Sequence, residues 1–227
     1  MIGLIVAMES EFRLVEALLE AKKEEYFRGI RFLCGKVGER EVVLMHSGIG
    51  KVCAAAGTVE LIDRYAPECV LNTGVAGGID ASLQVMDVVV GSEVVYHDVW
   101  CGDGNALGQI QGMPARFVAD GRLVQAAMAA EGEVRVRSGL ICSGDRFVSN
   151  REELEEIKGN FPEGLAVDME SGAIAQVCHM YGVPFLSCRI ISDTPGVVED
   201  NFLQYLDFWT VAPEKSIHVL RQIIERL

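Results

Sequence analysis

Two hydrophobic patterns alternate along the chain. Continuous apolar runs rich in valine and isoleucine are typical of buried strands, and seven occur, at residues 2–7, 41–47, 69–73, 87–95, 138–143, 164–169 and 185–192. Between them, apolar residues recur at helical spacing, which predicts helices at residues 9–22, 51–65, 122–131, 151–159, 170–181 and 213–226. This alternation predicts an α/β fold with a central mixed, largely parallel, twisted sheet flanked by helices.

Two stretches lack a clear pattern. Residues 97–118 are rich in glycine and polar residues, and residues 194–207 begin with Thr-Pro-Gly. A loop as long as the first one inside a compact domain is usually functional or mobile. Since no internal repeat, low-complexity segment or linker interrupts the chain, we expect residues 1–227 to form a single domain.

Composition narrows the classes of function. The 227 residues are 50% hydrophobic, and 33 acidic against 20 basic residues give a net charge of −13. Nucleic acids and anionic membranes bind cationic surfaces, so neither is an expected partner. No apolar run approaches the roughly 20 residues of a membrane span. The apolar start of the chain lacks the basic residues of a signal peptide and is interpreted as a first strand.

The cysteines and histidines predict no metal site. Seven cysteines are scattered without a CxxC pair, and four histidines lack the spacing of metal ligands. An odd number of scattered cysteines is typical of reduced thiols. We therefore expect a cytoplasmic protein whose cysteines are mostly small core residues.

Polar residues cluster directly after the predicted strands. In open α/β sheets, ligands bind at the carboxyl ends of the strands. Three carboxylates, those of Glu11, Glu170 and Asp193, would meet there beside glycine-rich runs that follow two of the strands. Because unpartnered carboxylates are costly to bury, this arrangement indicates a pocket with a few polar groups on apolar walls.

Each of these residues also has a purely structural explanation. Glu11 lies in the first turn of a helix, where the helix dipole favours an acid, and the same holds for Glu170. Asp193 precedes Thr-Pro and is a candidate turn or helix cap. The run GVAGG is consistent with a tight turn from strand to helix. The pair His97 and Asp98 favours a structural hydrogen bond over an acid–base pair.

Seven ordered motifs carry a family resemblance. They are AMESE (7–11), HSGIGKV (46–52), NTGVAGG (72–78), YHD (96–98), SGDRFV (143–148), VDMES (167–171) and RIISD (189–193). Together, and nearly end to end, they resemble the 5′-methylthioadenosine/S-adenosylhomocysteine nucleosidases of the purine nucleoside phosphorylase superfamily. The resemblance implies the nucleoside phosphorylase-like fold and an N-glycosyl hydrolase that acts on a small nucleoside and water, without a metal or organic cofactor.

The resemblance also implies roles for individual residues. Glu11 would activate the attacking water, Asp193 would protonate N7 of adenine, and Glu170 would hold the ribose hydroxyls. Asp168 is expected to face elsewhere or to act through its backbone. Met169 would pack against the sugar, Phe147 would stack on the purine, and the Val148 backbone would bind the purine edge. Gly77 and Val75 would line the ribose and water site, and Met8 and Ile49 would lie beside the ribose and the 5′ substituent. Ser192 would orient Asp193.

The predicted reaction is hydrolysis of the N-glycosidic bond of 5′-methylthioadenosine and S-adenosylhomocysteine, and also of 5′-deoxyadenosine, to release adenine. The phosphorylases of the superfamily bind phosphate with arginines at two places that here read AMESE and LNTGVAGG, without arginine. This difference favours water over phosphate. Three alternatives stay open: an aminodeoxyfutalosine nucleosidase, a phosphorolytic purine nucleoside phosphorylase, and a non-catalytic nucleoside-binding protein.

The contacts to the 5′ group are the least defined. The family forms homodimers in which a loop of one chain completes the partner's pocket, so residues 97–118 and 194–208 are expected near this group. The first segment keeps the family's GQxxGxP element but lacks its aromatic residue unless Trp100 replaces it. Met86 also stands where a glycine is usual in the family.

Overall fold

Ten strands and seven helices make up the described part of the chain, which comprises residues 1–132, 134–195, 201–211 and 213–227 of a computed structural model. The strands are β1 (Ile2–Val6), β2 (Glu20–Phe27), β3 (Ile30–Val37), β4 (Arg40–His46), β5 (Cys69–Gly78), β6 (Val88–Tyr96), β7 (Phe117–Val118), β8 (Val136–Ser143), β9 (Gly164–Asp168) and β10 (Phe185–Asp193). The helices are α1 (Glu9–Glu16), α2 (Lys51–Tyr65), α3 (Gly121–Met128), α4 (Arg151–Asn160), α5 (Ser171–Tyr181), α6 (Asn201–Val211) and α7 (Pro213–Arg226).

The strands form one mixed sheet in the order β10–β6–β8–β9–β5–β1–β4–β3–β2, with β7 paired to β6. Because β10 also pairs with β5, the five strands β5, β9, β8, β6 and β10 close into a ring. Parallel pairs join β4, β1, β5 and β10, so the carboxyl ends of these central strands lie at one edge. The predicted α/β class and mixed sheet are confirmed.

Helices cover both faces of the sheet. On one face α1, α3 and α7 bury apolar side chains against the strands, including Phe12, Leu123 and Ile223. On the other face α2 and α5 do the same through residues such as Leu61 and Ile174. Full burial of one such side chain is worth about 1.5–3 kcal/mol. The two packed layers therefore fix the strand ends relative to one another.

All seven predicted strands and six predicted helices are present, and the two largest changes in length are in α1 and β5. Helix α1 ends at Glu16 instead of residue 22. Strand β5 runs on to Gly78, so the predicted turn at residues 74–78 is wrong. These residues stay extended because they pair with β10 on one side and with β9 on the other.

Four elements, the strands β2, β3 and β7 and the helix α6, were not predicted from the sequence. The hairpin of β2 and β3 begins with a strand of mainly exposed residues, EAKKEEYF, so it lacks the apolar alternation of a half-buried strand. Helix α6 and the short strand β7 begin inside the two stretches that showed no pattern. Within the described ranges, no helix combines the length and apolar character needed to cross a bilayer.

Candidate active site

One pocket lies at the carboxyl ends of β1, β5, β9 and β10. The space between its walls, part of which is open to solvent, is about 640 Å³. All residues predicted to act on or bind the substrate line it: Met8, Glu11, Ile49, Val75, Gly77, Phe147, Val148, Met169, Glu170, Ser192 and Asp193. The lining also includes residues that the sequence did not single out, among them Arg189 and Tyr205.

Glu11 is held by backbone donors at the start of α1. Its side chain is 4% exposed. Oε2 accepts hydrogen bonds from the N–H groups of Ala7 and Met8 at 2.9 and 3.0 Å, and Oε1 accepts one from Val75 at 3.0 Å. Burial raises the pKa of Glu11, although the Arg189 cation and the three N–H groups act in the opposite direction. The carboxylate is thus fixed in place with an increased affinity for a proton.

Glu170 joins two elements at the pocket wall. Its Oε1 accepts a hydrogen bond at 3.0 Å from the N–H of Gly50, the residue that precedes α2. Its Oε2 lies 3.4 Å from Nη2 of Arg189. Burial raises the pKa of Glu170 to about 7 against the lowering effect of Arg189. The neutral and ionised forms are therefore both accessible near neutral pH.

Arg189 is a buried cation whose importance the sequence did not reveal. Its side chain is 1% exposed, and Nε pairs with Asp168 at 2.8 Å. Nη2 donates to Asn72 Oδ1 as well as to Glu170. The carboxylate of Asp168, a residue expected to face elsewhere or to act through its backbone, supplies the close counter-charge that a buried arginine needs. The only signal in the sequence was a charged residue inside an otherwise apolar strand.

Asp193, at the end of β10, differs from the other two acids because its side-chain hydrogen-bond partners in the described part of the chain are neutral. Ser192 Oγ donates to Oδ1 at 2.7 Å, and Asn201 Nδ2 donates to Oδ2 at 2.8 Å. Burial raises the pKa of Asp193, while these two hydrogen bonds lower it. Asn201, the first residue of α6, was not predicted, because it lies inside a stretch without a pattern.

Aromatic side chains from two elements form the outer wall. Phe147 packs edge-on against Phe202 and Tyr205 of α6, with ring centroids 6.3 and 6.1 Å apart. The hydroxyl of Tyr205 lies 3.2 Å from Sδ of Met8. Phe147 is 45% exposed, so one part of its ring faces solvent. These contacts place α6 beside the pocket and give it an apolar lining.

The glycines of β5 make room for the acids. Gly74 has a φ of +149°, and a Cβ there would overlap Oε1 of Glu11 and lie 2.8 Å from Nη1 of Arg189. A Cβ on Gly77 would approach Val167 Cγ2 to 3.1 Å. The glycine-rich run is therefore a strand whose missing side chains allow the charged groups to approach its backbone.

The pair His97 and Asp98 does not form the predicted hydrogen bond. Asp98 instead binds Nζ of Lys51 at 2.8 and 3.0 Å and accepts from the N–H of Asp145. Among the described residues, Nε2 of His97 is buried without a hydrogen-bond partner. In the same part of the chain, no group of three or more His, Cys, Asp or Glu residues has the arrangement of a metal site.

Comparisons with known proteins extend over nearly the whole chain. The model of the phosphorylase superfamily matches residues 1–225. A 5′-methylthioadenosine/S-adenosylhomocysteine nucleosidase of Geobacillus thermodenitrificans is 41% identical over 226 residues, which are 98% of this chain and 95% of the relative.

Two crystal structures of nucleosidases with the same name have closely similar folds. The protein from Neisseria meningitidis, in complex with methylthio-immucillin-A, has a TM-score of 0.95 at 40% identity, covering 100% of this chain and 99% of that one. The protein from Colwellia psychrerythraea, in complex with adenine, has a TM-score of 0.94 at 37% identity, covering 100% and 95%. The chain therefore belongs to the phosphorylase superfamily and, within it, to the family of 5′-methylthioadenosine/S-adenosylhomocysteine nucleosidases.

Proposed function

We propose that this chain hydrolyses the N-glycosidic bond of 5′-methylthioadenosine and S-adenosylhomocysteine, and also of 5′-deoxyadenosine, releasing adenine. The observation that carries the proposal is that three buried carboxylates, those of Glu11, Glu170 and Asp193, line one pocket. Burial raises the pKa of each, so each binds a proton more readily than an exposed carboxylate does. The relatives with the same fold are named for the first two substrates.

Asp193 acts as the general acid. As the bond between C1′ of the ribose and N9 of adenine breaks, its electron pair moves into the base, and protonation at N7 neutralises the developing negative charge. A carboxyl group can deliver that proton only if it still holds it near neutral pH, and burial of Asp193 favours this. Such general acid catalysis is typically worth ~10²–10⁴-fold in rate. Ser192 orients the carboxyl group through its hydrogen bond to Oδ1.

Glu11 acts as the general base for the water. The backbone donors that hold it leave it beside Gly77 and Val75, at the predicted water site. Water attacks C1′ and gives its proton to Glu11, while Glu170 accepts hydrogen bonds from the two ribose hydroxyls. Positive charge on the ribose is stabilised by these acids. Separate acid and base carboxylates correspond to the arrangement of inverting glycosidases.

Water is a better nucleophile for this pocket than phosphate. Of the described residues that line it, two are arginines, and both already have acidic partners. Arg189 pairs with Asp168 and Glu170, and Arg146 pairs with two acids of α4. Phosphate would therefore compete with existing carboxylates and would also be repelled by Glu11.

The test is adenine release from 5′-methylthioadenosine with and without inorganic phosphate. We expect equal rates in both conditions and the free 5-methylthioribose as the second product. Formation of a ribose 1-phosphate that requires phosphate would show a phosphorylase. S-Adenosylhomocysteine, 5′-deoxyadenosine and aminodeoxyfutalosine are assayed in parallel, and a rate far higher with the last would assign that substrate instead. Absence of adenine release from all four would favour a binding protein.

We further propose that residues 1–227 form a single nucleosidase domain in a cytoplasmic homodimer. Ile49 lines the pocket, and it exposes its apolar side chain, as do Val52 and Trp100. This exposure supports completion of the pocket by residues 97–118 of a partner chain. Of the segment 194–208 that is expected near the 5′ group, residues 196–200 lie outside the described part of the chain.

A further inference from the structure

The start of α2 donates two successive backbone N–H groups to two different carboxylates. The N–H of Gly50 donates to Oε1 of Glu170 at 3.0 Å, and the N–H of Lys51 donates to Oδ1 of Asp145 at 2.8 Å. Gly50 has no side chain with which to cap the helix. Asp145, which is 94 residues from Lys51 in the chain, therefore supplies an acceptor for one of the N–H groups that a helix start leaves unpaired.

This contact joins two parts of the pocket wall. Gly50 has a φ of +90°, and a Cβ there would lie 3.0 Å from Oδ1 of Asp145, so glycine allows the close approach. Ile49, directly before Gly50, lines the pocket on the side assigned to the ribose, as does Glu170. Residues 146–148, directly after Asp145, line it on the side assigned to the base.

The base-side segment has attachments that do not need the carboxylate of Asp145. The backbone N–H of Asp145 donates to Oδ2 of Asp98 at 2.9 Å. The side chain of Arg146 pairs with two acids of α4. Loss of the Asp145 carboxylate should therefore release the start of α2 and leave residues 146–148 in place.

We propose that Asp145 is a positioning residue that holds the N–H of Lys51, keeps the neighbouring N–H of Gly50 directed at Glu170, and so fixes the carboxylate that accepts the ribose hydroxyls. The inference rests on the proposed function, which assigns these hydroxyls to Glu170. The lining of the pocket, as far as the described residues form it, does not include Asp145, so it acts through the backbone of α2. Asp145 then contributes to binding of the nucleoside and not of free adenine, which has no ribose.

The experiment compares Asp145→Ala with Asp145→Asn. Both variants remove the charge, but asparagine keeps an oxygen that can accept from the N–H of Lys51. Loss of a side chain that caps a helix changes an equilibrium constant about fivefold, so Asp145→Ala should raise the KM for 5′-methylthioadenosine by about this factor. Its dissociation constant for adenine, measured by calorimetry, should stay within about twofold of the wild type, because the base-side attachments are independent of the change. Asp145→Asn should match the wild type in both quantities.

Asp120→Ala is the matched control for the loss of a helix cap. The carboxylate of Asp120 accepts from the N–H groups of Arg122 and Leu123 at the start of α3, on the opposite face of the sheet from α2. This variant should lose thermal stability, as Asp145→Ala does, but keep the wild-type KM. An equal rise in KM would attribute the effect of Asp145 to lower stability and overturn the inference.

Three further outcomes would also overturn it. An unchanged KM in Asp145→Ala would show that Glu170 does not depend on this contact, and equal weakening of nucleoside and adenine would place the effect on the base side. The same rise in KM for Asp145→Asn would show that the charge matters and the hydrogen bond does not. A wild type that releases no adenine from any 5′-substituted adenosine would instead refute the proposed function, so the two failures are distinguishable.

Discussion

At the residue scale, neighbouring charges act differently on the pKa values of the three buried acids. Arg189 lowers the pKa of Glu11 and of Glu170 and so offsets part of the effect of burial. Asp193 has the neutral donors Ser192 and Asn201 in its place. One site can hold both an acid and a base when its two carboxyl groups lie in different environments. The geometry therefore supports Asp193 as the acid and Glu11 as the base.

Replacement of Asp193 by Asn tests the acid. The change keeps the size of the side chain but removes the transferable proton, so kcat should fall by ~10²–10⁴-fold. Thermal denaturation should show a midpoint near that of the wild type, because no buried charge is left unpaired. Steady-state release of adenine from 5′-methylthioadenosine measures the rate. A folded variant with near-wild-type kcat would remove Asp193 from this role.

The raised pKa of Glu170 predicts a pH-dependent cost in stability. The pKa is about 7 in the folded chain and ordinarily 4.5, so the folded state binds more protons between these values. Stability is then lost as the pH rises from about 4.5 through 7. Glu170→Gln removes this cost, and the wild type should lose stability relative to the variant by on the order of 3 kcal/mol over this window.

Urea denaturation at pH 5 and pH 8 measures this difference. The matched control is Glu152→Gln on α4, which changes an exposed acid and should follow the wild type at both pH values. The same gap between the wild type and Glu170→Gln at pH 5 and pH 8 would contradict the predicted titration. Arg189 keeps its partner Asp168 in the variant, so its pairing does not create the pH dependence.

At the scale of elements, the turn that leads into β6 contains a residue in an unfavourable backbone conformation. The turn before β6 closes with a hydrogen bond from the N–H of Asp87 to the carbonyl oxygen of Gln84 at 3.0 Å. Met86, its third residue, has a φ of 81°, a conformation that favours glycine. The sequence had indicated a departure from the family here, and the structure shows its physical consequence.

Replacement of Met86 by Gly should therefore stabilise the protein. A left-handed conformation costs a residue with a Cβ roughly 1–2 kcal/mol, which the greater freedom of glycine in the unfolded chain partly offsets. We expect a net gain of about 0.5–1 kcal/mol, or a few degrees in the midpoint of thermal denaturation. Met86→Ala is the control, because it shortens the side chain but keeps the strain. Equal gains in both variants would attribute the effect to the side chain instead.

At the scale of the whole molecule, two exposed apolar residues lie in segments that an ion pair joins. The ion pair between Lys51 and Asp98 holds the segment after β6 next to the start of α2. Val52 and Trp100 there are 79% and 58% exposed. Exposed apolar residues grouped at a site mark interaction surfaces. This surface suits the proposed second copy of the chain.

Val52→Glu should weaken that dimer. A charge placed in an apolar interface must be desolvated without a partner, so the variant should elute closer to the monomer in size-exclusion chromatography with light scattering. Its KM for 5′-methylthioadenosine should rise if the partner completes the pocket. Met128→Glu makes a similar change on α3, on the opposite face of the sheet, and should leave both quantities unchanged. A fully dimeric Val52→Glu variant with normal KM would place the interface elsewhere.

The sequence by itself determined the family, which is confirmed, and the elements that lead to the pocket. Glu11 and Asp193 were predictable as neighbours because the carboxyl ends of the parallel strands β1, β5 and β10 meet at one edge. Glu170 also follows an apolar strand, but β9 is antiparallel to β5, so the closure of the strands into a ring brings it to the pocket. Buried strands and amphipathic helices have local patterns. The hairpin that begins with Glu20–Phe27 has none, because that strand is mainly exposed.

Only the tertiary structure decided how the charges are balanced. Arg189 occurs in a strand motif like any polar residue, and its partners Asp168, Glu170 and Asn72 are distant from it in the chain. The contact of Asn201 with Asp193 likewise depends on how α6 packs. Burial, pKa and hydrogen-bond partners follow from distances in space, and no local pattern along the chain encodes them.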